Sequence, residues 1–269
     1  MVPSSLAPVI TIIVTRPAQD AQRWVRGLSA QGLQTLTLPL IEIAPTANPL
    51  PVQQAWQDMA CYQAAMFVSG NAVSHFYASN QPLAQYRHAQ AAINTRAWAT
   101  GPGTVAALHQ VGVAAHQIDA PDAAAGQFDS ETLWHIVAPQ VQPGSRILVV
   151  RGSDHTGEAA GRSWLTEQLA AAGAQLDTVV AYERRMPVFS PDQLRQAQQA
   201  CGDGSVWLFS SSEAIAHLQS LLPGQDFRAA RAVATHSRIA QAARNAGFGV
   251  VCESRPLLAD IVASIESQA

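Results

Sequence analysis

Four short segments carry hydroxyl, amide and glycine residues where an apolar strand gives way to a helix: Ser69-Gly70-Asn71, Thr100-Gly101-Pro102-Gly103-Thr104, Ser210-Ser211-Ser212 and Thr235-His236-Ser237. A helix N-terminus presents unpaired N–H groups and the positive end of the macrodipole, so such segments can hold carboxylates or phosphates without a formal charge. Taken singly, Ser, Thr and Asn at these points are helix caps. Four of them, together with Arg16 and with Arg151-Gly152 after two further strands, point instead to an anion site.

Several sharper chemistries are excluded. All 16 basic residues are Arg and there is no Lys, which removes Schiff-base catalysis, pyridoxal phosphate attachment and the P-loop lysine. The glycine spacing from Gly152 to Gly157 is that of a phosphate loop, but Glu158 stands where the lysine belongs. Gly101-Pro102-Gly103 lacks the third glycine of a dinucleotide fingerprint, and the triple serine lacks the Gly-x-Ser-x-Gly elbow. The eight histidines show no His-x-x-x-His spacing, and Cys61, Cys201 and Cys252 are far apart, so neither a metal site nor a disulfide is expected. A net charge of −3 without a basic run argues against nucleic-acid binding. The apolar run Val9 to Val14 meets Arg16 at once, too short for a membrane span or a signal segment, so a cytoplasmic location is expected.

The elements that must position these segments alternate between short apolar strands and amphipathic helices, the pattern of a parallel sheet covered by helices. Strands are predicted near 9–15, 33–40, 64–68, 96–100 and 113–118, then near 146–150, 174–183, 205–209, 230–235 and 248–252. Helices are predicted near 18–31, 52–59, 71–78, 103–111 and 129–138, then near 159–172, 191–200, 212–222, 237–246 and 257–266. Val14-Thr15-Arg16 matches Val149-Val150-Arg151, and Leu28 with Gly32 matches Leu169 with Gly173, the second copy carrying an insertion around Asp154 to Ala159. Phe67 to Val73 matches Phe209 to Ile215, and Ala97-x-Ala99-Thr100 with Gly112 matches Ala232-x-Ala234-Thr235 with Gly247. At 269 residues, 48% of them hydrophobic, the chain is long enough for two cored domains. It therefore reads as one pattern used twice, with function expected in the cleft between the copies.

Taken together, Val14-Thr15-Arg16-Pro17, Leu38 to Ile43, Phe67 to Val73, Gly101-Pro102-Gly103-Thr104, Arg151-Gly152 and Val179 to Arg184 resemble the uroporphyrinogen-III synthase family over nearly the whole chain. The resemblance implies two similar flavodoxin-like or Rossmann-like α/β parallel-sheet domains joined by a two-stranded connector. One domain would be discontinuous, 1–37 with 186–269. The other, 45–176, would be inserted in it, with 38–44 and 177–185 as connector strands.

The same resemblance implies a monomeric, cofactor-independent lyase that cyclises the linear tetrapyrrole hydroxymethylbilane to uroporphyrinogen III, with loss of water and inversion of ring D. In the family mechanism, loss of the hydroxyl gives an azafulvene. Ring D then attacks through its substituted carbon to form a spiro intermediate, which fragments and recloses. Uncatalysed closure gives the type I isomer, so orientation decides the product. A transient contact with the preceding pathway enzyme is a further implication. Tyr182 matches the tyrosine that assists hydroxyl departure. Substrate binding falls to Arg16, Ser69, Gly70, Asn71, Gly101, Pro102, Gly103, Thr104, Arg151, Gly152, Ser210, Ser211, Ser212, His236 and Ser237, with Arg162, Arg184 and Arg185 as further cations. One departure from the family pattern is Ile239 in the loop Thr235 to Ile239, which shifts binding there to backbone groups, Ser237 or Arg238, and makes His236 a candidate proton donor. The alternatives are a two-domain sensor that closes on an anionic metabolite without reacting it, and a sugar-nucleotide transferase.

Overall fold

Neighbouring strand residues divide between two buried clusters. Ala65, Phe67, Leu148 and Val150 enter one, while Ala64, Met66, Ile147 and Val149 enter the other. Period-two alternation with both sets apolar requires a strand covered on both faces. The computed structural model, which describes residues 10–79, 95–122, 130–153 and 164–268, has that arrangement.

In chain order its elements begin β1 (Thr11–Val14), α1 (Ala18–Ala30), β2 (Gln34–Thr37), β3 (Glu42–Pro45), α2 (Leu50–Gln57), β4 (Ala64–Phe67), α3 (Gly70–Ala78), β5 (Arg96–Ala99), α4 (Pro102–Gln110) and β6 (Ile118–Asp119). They continue α5 (Ser130–Val137), β7 (Arg146–Ser153), α6 (Trp164–Ala171), β8 (Gln175–Arg185), α7 (Pro191–Ala200), β9 (Val206–Phe209), α8 (Ser212–Leu221), β10 (Arg231–Ala234), α9 (Ser237–Asn245), β11 (Val250–Glu253) and α10 (Leu258–Glu266). The chain divides into one unit of Met1–Glu42 with Arg185–Ala269, and a second of Ile43–Arg184. It passes between them twice, on β3 and at the end of β8, and these two strands are neighbours in one sheet. The expected connector 177–185 thus lies within β8, which pairs with β7 from Arg146 opposite Gln175 to Ser153 opposite Glu183.

The first unit holds a five-stranded sheet, β11-β10-β9-β1-β2, and the second a six-stranded sheet, β3-β8-β7-β4-β5-β6. Every described register is parallel. Set β7 on β1, and five strands coincide in order. The rungs coincide as well: Val14 lies opposite Leu208 and Thr37, as Val149 lies opposite Met66 and Thr178. Phe209 lies opposite Ala234, as Phe67 lies opposite Ala99. The segments matched in sequence therefore occupy equivalent rungs. Chain order differs, because β4 to β6 precede β7 and β8 while their counterparts β9 to β11 follow β1 and β2.

Helix endings repeat in the same way. Gly32 and Gly173 have φ of 78° and 84°, a left-handed conformation that other residues adopt at a cost. There the N–H of Gly32 returns to Ser29 and that of Leu33 to Leu28, while Gly173 and Ala174 return to Ala170 and Leu169. This paired bonding closes the helix and aims the chain into the next strand. Gly112 and Gly247 do the same after α4 and α9.

Two predicted strands are cut to half their expected length or less. The strand near 33–40 is regular only to Thr37, although Leu38 and Leu40, on either side of Pro39, still donate to Val14 and Thr15. The strand near 113–118 is reduced to Ile118–Asp119, since Ala115–Gln117 closes a 3-10 turn and Val113 packs on the core without pairing. The expected insertion at Asp154 to Ala159, and Arg162, lie outside the described residues.

Candidate active site

In the second unit the predicted residues gather at the carboxyl ends of β4, β5 and β7. Ser69 adopts an extended backbone (φ −163°, ψ 162°) and caps α3, its Oγ accepting from the Ala72 N–H at 3.1 Å. The same Oγ lies 3.1 Å from the Tyr182 hydroxyl. An oxygen that already accepts one N–H still has its own proton and a lone pair, so Ser69 can donate to the phenol oxygen or accept from it.

Tyr182 reaches this point because β7 and β8 slip register between Arg151 and Gly152, placing Gly152 opposite Tyr182. A bulge of this kind re-aims a side chain. The Tyr182 ring lies on Gly152 so closely that a Cβ there would sit 2.4 Å from Cζ. Tyr182 is buried, at 6% exposure, and Arg151 beside it is 9% exposed. Burial pushes the Arg151 guanidinium down from its ordinary range, while the neighbouring Tyr182 pulls it up.

The α4 loop contributes backbone. Gly101 is extended and caps without a side chain, and Pro102 brings no N–H. The N–H groups of Thr104 and Val105 return to the Gly101 carbonyl at 3.0 and 3.1 Å, while that of Gly103 has no partner among the described residues. Thr104 itself is buried, so its side chain belongs to the packing of α4. Gly70 has a packing role too: a Cβ there would meet the Gly103 carbonyl oxygen at 3.3 Å, and the two helix starts approach closely because it has none. Asn71 is half-buried in the first turn of α3. Thr100 donates to the Val68 carbonyl at 3.3 Å, tying the two loops together.

The first unit builds a corresponding rim. Arg16 follows β1 with its guanidinium 4.7 Å over the Trp24 ring, and burial is the main cause lowering its pKa. Ser210 and Ser211 lead into α8, and the Ser212 Oγ is buried without a hydrogen-bond partner among the described residues. His236 caps α9: its Nδ1 accepts from the Arg238 N–H at 3.2 Å, with Ser237 Oγ at 3.5 Å. Accepting at Nδ1 puts the imidazole proton on Nε2, the one nitrogen left to serve as a donor. Ile239 is buried against the sheet side of α9.

The sequence did not single out His75. It lies on α3, three residues after Ala72, and its ring centroid is 5.7 Å from that of Tyr182, tilted by 32°. Helical spacing from Asn71 and Ala72 was the available signal. A cavity of about 240 Å³ also lies in this unit, toward the amino ends of β4 and β5, lined by Trp56, Phe67, Tyr77, Thr95 and Arg96. Three of its polar side chains are occupied: Arg96 by Asp119, Trp56 by the Phe76 carbonyl, and Thr95 by the Met59 and Tyr62 carbonyls. No helix among the described residues is long and apolar enough to cross a membrane.

The family model described as uroporphyrinogen-III synthase HemD matches residues 22–263. A uroporphyrinogen-III synthase of Synechococcus elongatus is 31% identical over 193 residues, covering 70% of this chain and 67% of that protein. One of Chlorobaculum parvum is 29% identical over 187 residues, covering 68% and 67%. Among solved structures, uroporphyrinogen-III synthetase of Helicobacter pylori matches with a TM-score of 0.58 at 17% identity, over 97% of this chain and 99% of that one. A mutant uroporphyrinogen III synthase of Thermus thermophilus matches with a TM-score of 0.52 at 14% identity, over 97% and 98%, a likeness of fold. The chain belongs to the uroporphyrinogen-III synthase family of cyclising lyases.

Proposed function

We propose that the chain closes hydroxymethylbilane to uroporphyrinogen III and that Tyr182 is the acid that releases the hydroxyl. The observation that carries this reading is the Tyr182–Ser69 pair, 3.1 Å apart at the carboxyl end of a parallel sheet, with the buried Arg151 alongside. The Tyr182 proton passes to the departing hydroxyl, the C–O bond breaks, and water leaves behind an azafulvenium cation on the pyrrole that carried it, whose charge balances that of the phenolate. The phenolate so formed is held by the Ser69 O–H and the Arg151 cation, donors already in place before charge develops. It recovers a proton from the ring carbon that must lose one when the macrocycle closes.

The acidic side chains of the substrate are met on one unit by the N-terminus of α3, the Gly103 N–H and Arg151. The other unit carries groups of the same kind in Arg16 and the N-termini of α8 and α9. Neutral donors in this number make a chain of net charge −3 compatible with a polyanion. The reading places the reaction in the cytoplasm. Because the free substrate closes by itself to the wrong isomer, the reading also includes its direct receipt from the enzyme that makes it.

The test supplies hydroxymethylbilane and separates the oxidised porphyrin isomers. Type III product is expected, and type I alone would overturn the reading.

A further inference from the structure

Helix α3 touches Tyr182 at two points. At its start, Ser69 Oγ meets the phenol oxygen; almost two turns later the His75 ring meets the phenol ring. A single hydrogen bond at the tip of a side chain leaves its ring free to swing about that contact. Gly152 supplies a floor with which the ring is already in close contact. His75 packs against the same ring, half-buried, at a distance and angle typical of packed aromatic rings. Burial lowers the pKa of His75, which keeps the imidazole uncharged near neutral pH and suits it to packing rather than to hydration. Its ring nitrogens take no hydrogen bond among the described residues, so its side chain is engaged through the ring face.

We propose that His75 is a positioning residue for the reaction: its imidazole, with Ser69 and Gly152, fixes the Tyr182 ring so that the hydroxyl meets the leaving group. The proposal rests on the reading of Tyr182 as the acid. His75 touches no reacting atom and acts through Tyr182 alone. Displacement of an acid by a fraction of its hydrogen-bond length slows proton transfer without weakening the binding of carboxylates elsewhere on the substrate.

The experiment is a mutant cycle on the full chain, with turnover and isomer ratio measured on hydroxymethylbilane and folding followed by thermal denaturation. His75→Ala is expected to lower kcat at least about tenfold with KM unchanged, and to raise the type I fraction because spontaneous closure gains ground. His75→Phe, which keeps a ring, is expected to restore kcat to within about twofold of the parent. In a Tyr182→Phe background, His75→Ala is expected to change nothing further, because the group it positions is gone. Parental kcat in His75→Ala would overturn the proposal, as would a His75→Phe protein as slow as His75→Ala. An equal loss from His75→Ala in both backgrounds would overturn it while leaving Tyr182 its role. If Tyr182→Phe alone had no effect, the acid assignment itself would fall.

Discussion

A methyl group on Gly152 would lie 2.4 Å from Cζ of Tyr182, with two further ring carbons at 2.6 and 2.9 Å. Gly152 is not in the left-handed region, so space and not backbone conformation demands glycine here. Gly152→Ala must lift the ring off the strand and away from Ser69. Overpacking of this kind destabilises by about 1–3 kcal/mol, and the displaced hydroxyl should lower kcat at least about tenfold. Urea melts and isomer-resolved turnover check both halves. A variant with parental kcat would show that the ring can move without consequence.

Tyr182→Phe removes the proton and keeps the ring. The packing on Gly152 and beside His75 survives, so stability should change little, while kcat falls on the order of a hundredfold, the usual contribution of a positioned acid. KM should stay near the parental value, since the change leaves Arg151 and the helix N–H groups that meet carboxylates in place. Ser69→Ala is expected to differ in kind. It removes both the partner of the phenol and the cap of α3, so a stability loss of about 1 kcal/mol accompanies the slower turnover.

Much of the architecture was legible in the sequence because duplication constrains it. Pairing Val14 with Val149 and Phe67 with Phe209 in sequence amounts to stating ladder rungs, and the registers opposite Leu208, Met66, Ala234 and Ala99 agree. Gly32 and Gly173 announced helix ends through the conformation that only glycine takes readily. The loops of the site were legible for a related reason, since a cap must stand where a strand feeds a helix. What escaped was the contact made by a register slip, for Tyr182 and Gly152 were named through the family resemblance and not as neighbours. The shift at Arg151/Gly152 decides which side chain of β8 reaches Ser69, and no local residue preference encodes it. His75 was missed because a half-buried histidine on an amphipathic helix looks like any other until the strand beneath it is placed. Thr104 was expected on the rim from its residue type, yet its position in α4 turns it into the packing.

Alkaline pH should destabilise the protein in a way that the composition makes easy to read. Burial pushes the Tyr77 phenol up from 10.0 to about 12, and burial with a hydrogen bond to Asp177 does the same for Tyr62. A folded state that holds a proton more tightly than the unfolded chain has its full contribution below the unfolded pKa. It loses that contribution as pH rises through the folded one, here between 10 and about 12. With all 16 basic residues Arg, no lysine titrates in this window to obscure the slope. The buried Cys201 thiol, also raised to about 12, adds to it from a lower starting point. Tyr77→Phe should flatten the fall of the urea midpoint above about pH 10 and leave the neutral midpoint nearly unchanged, since the phenol hydroxyl has no hydrogen-bond partner among the described residues. An unchanged slope would exclude Tyr77 as its source.

His236 can be tested as a cap and as an acid separately, because the two roles use different nitrogens. The Nδ1 atom accepts from Arg238 N–H and so stabilises the first turn of α9, while any proton given to substrate would come from Nε2. Asn places a side-chain oxygen where it can accept the same N–H and is among the best capping residues. His236→Asn should therefore keep stability within a few tenths of a kcal/mol, whereas His236→Ala should lose about 1 kcal/mol. If His236 serves only to shape the N–H rim of α9, the Asn variant will also keep parental kcat, and the Ala variant will show a raised KM as the rim loosens. A His236→Asn protein with parental stability and a kcat lowered tenfold or more would transfer the imidazole from the scaffold to the chemistry, beside Tyr182 in role though not in mechanism.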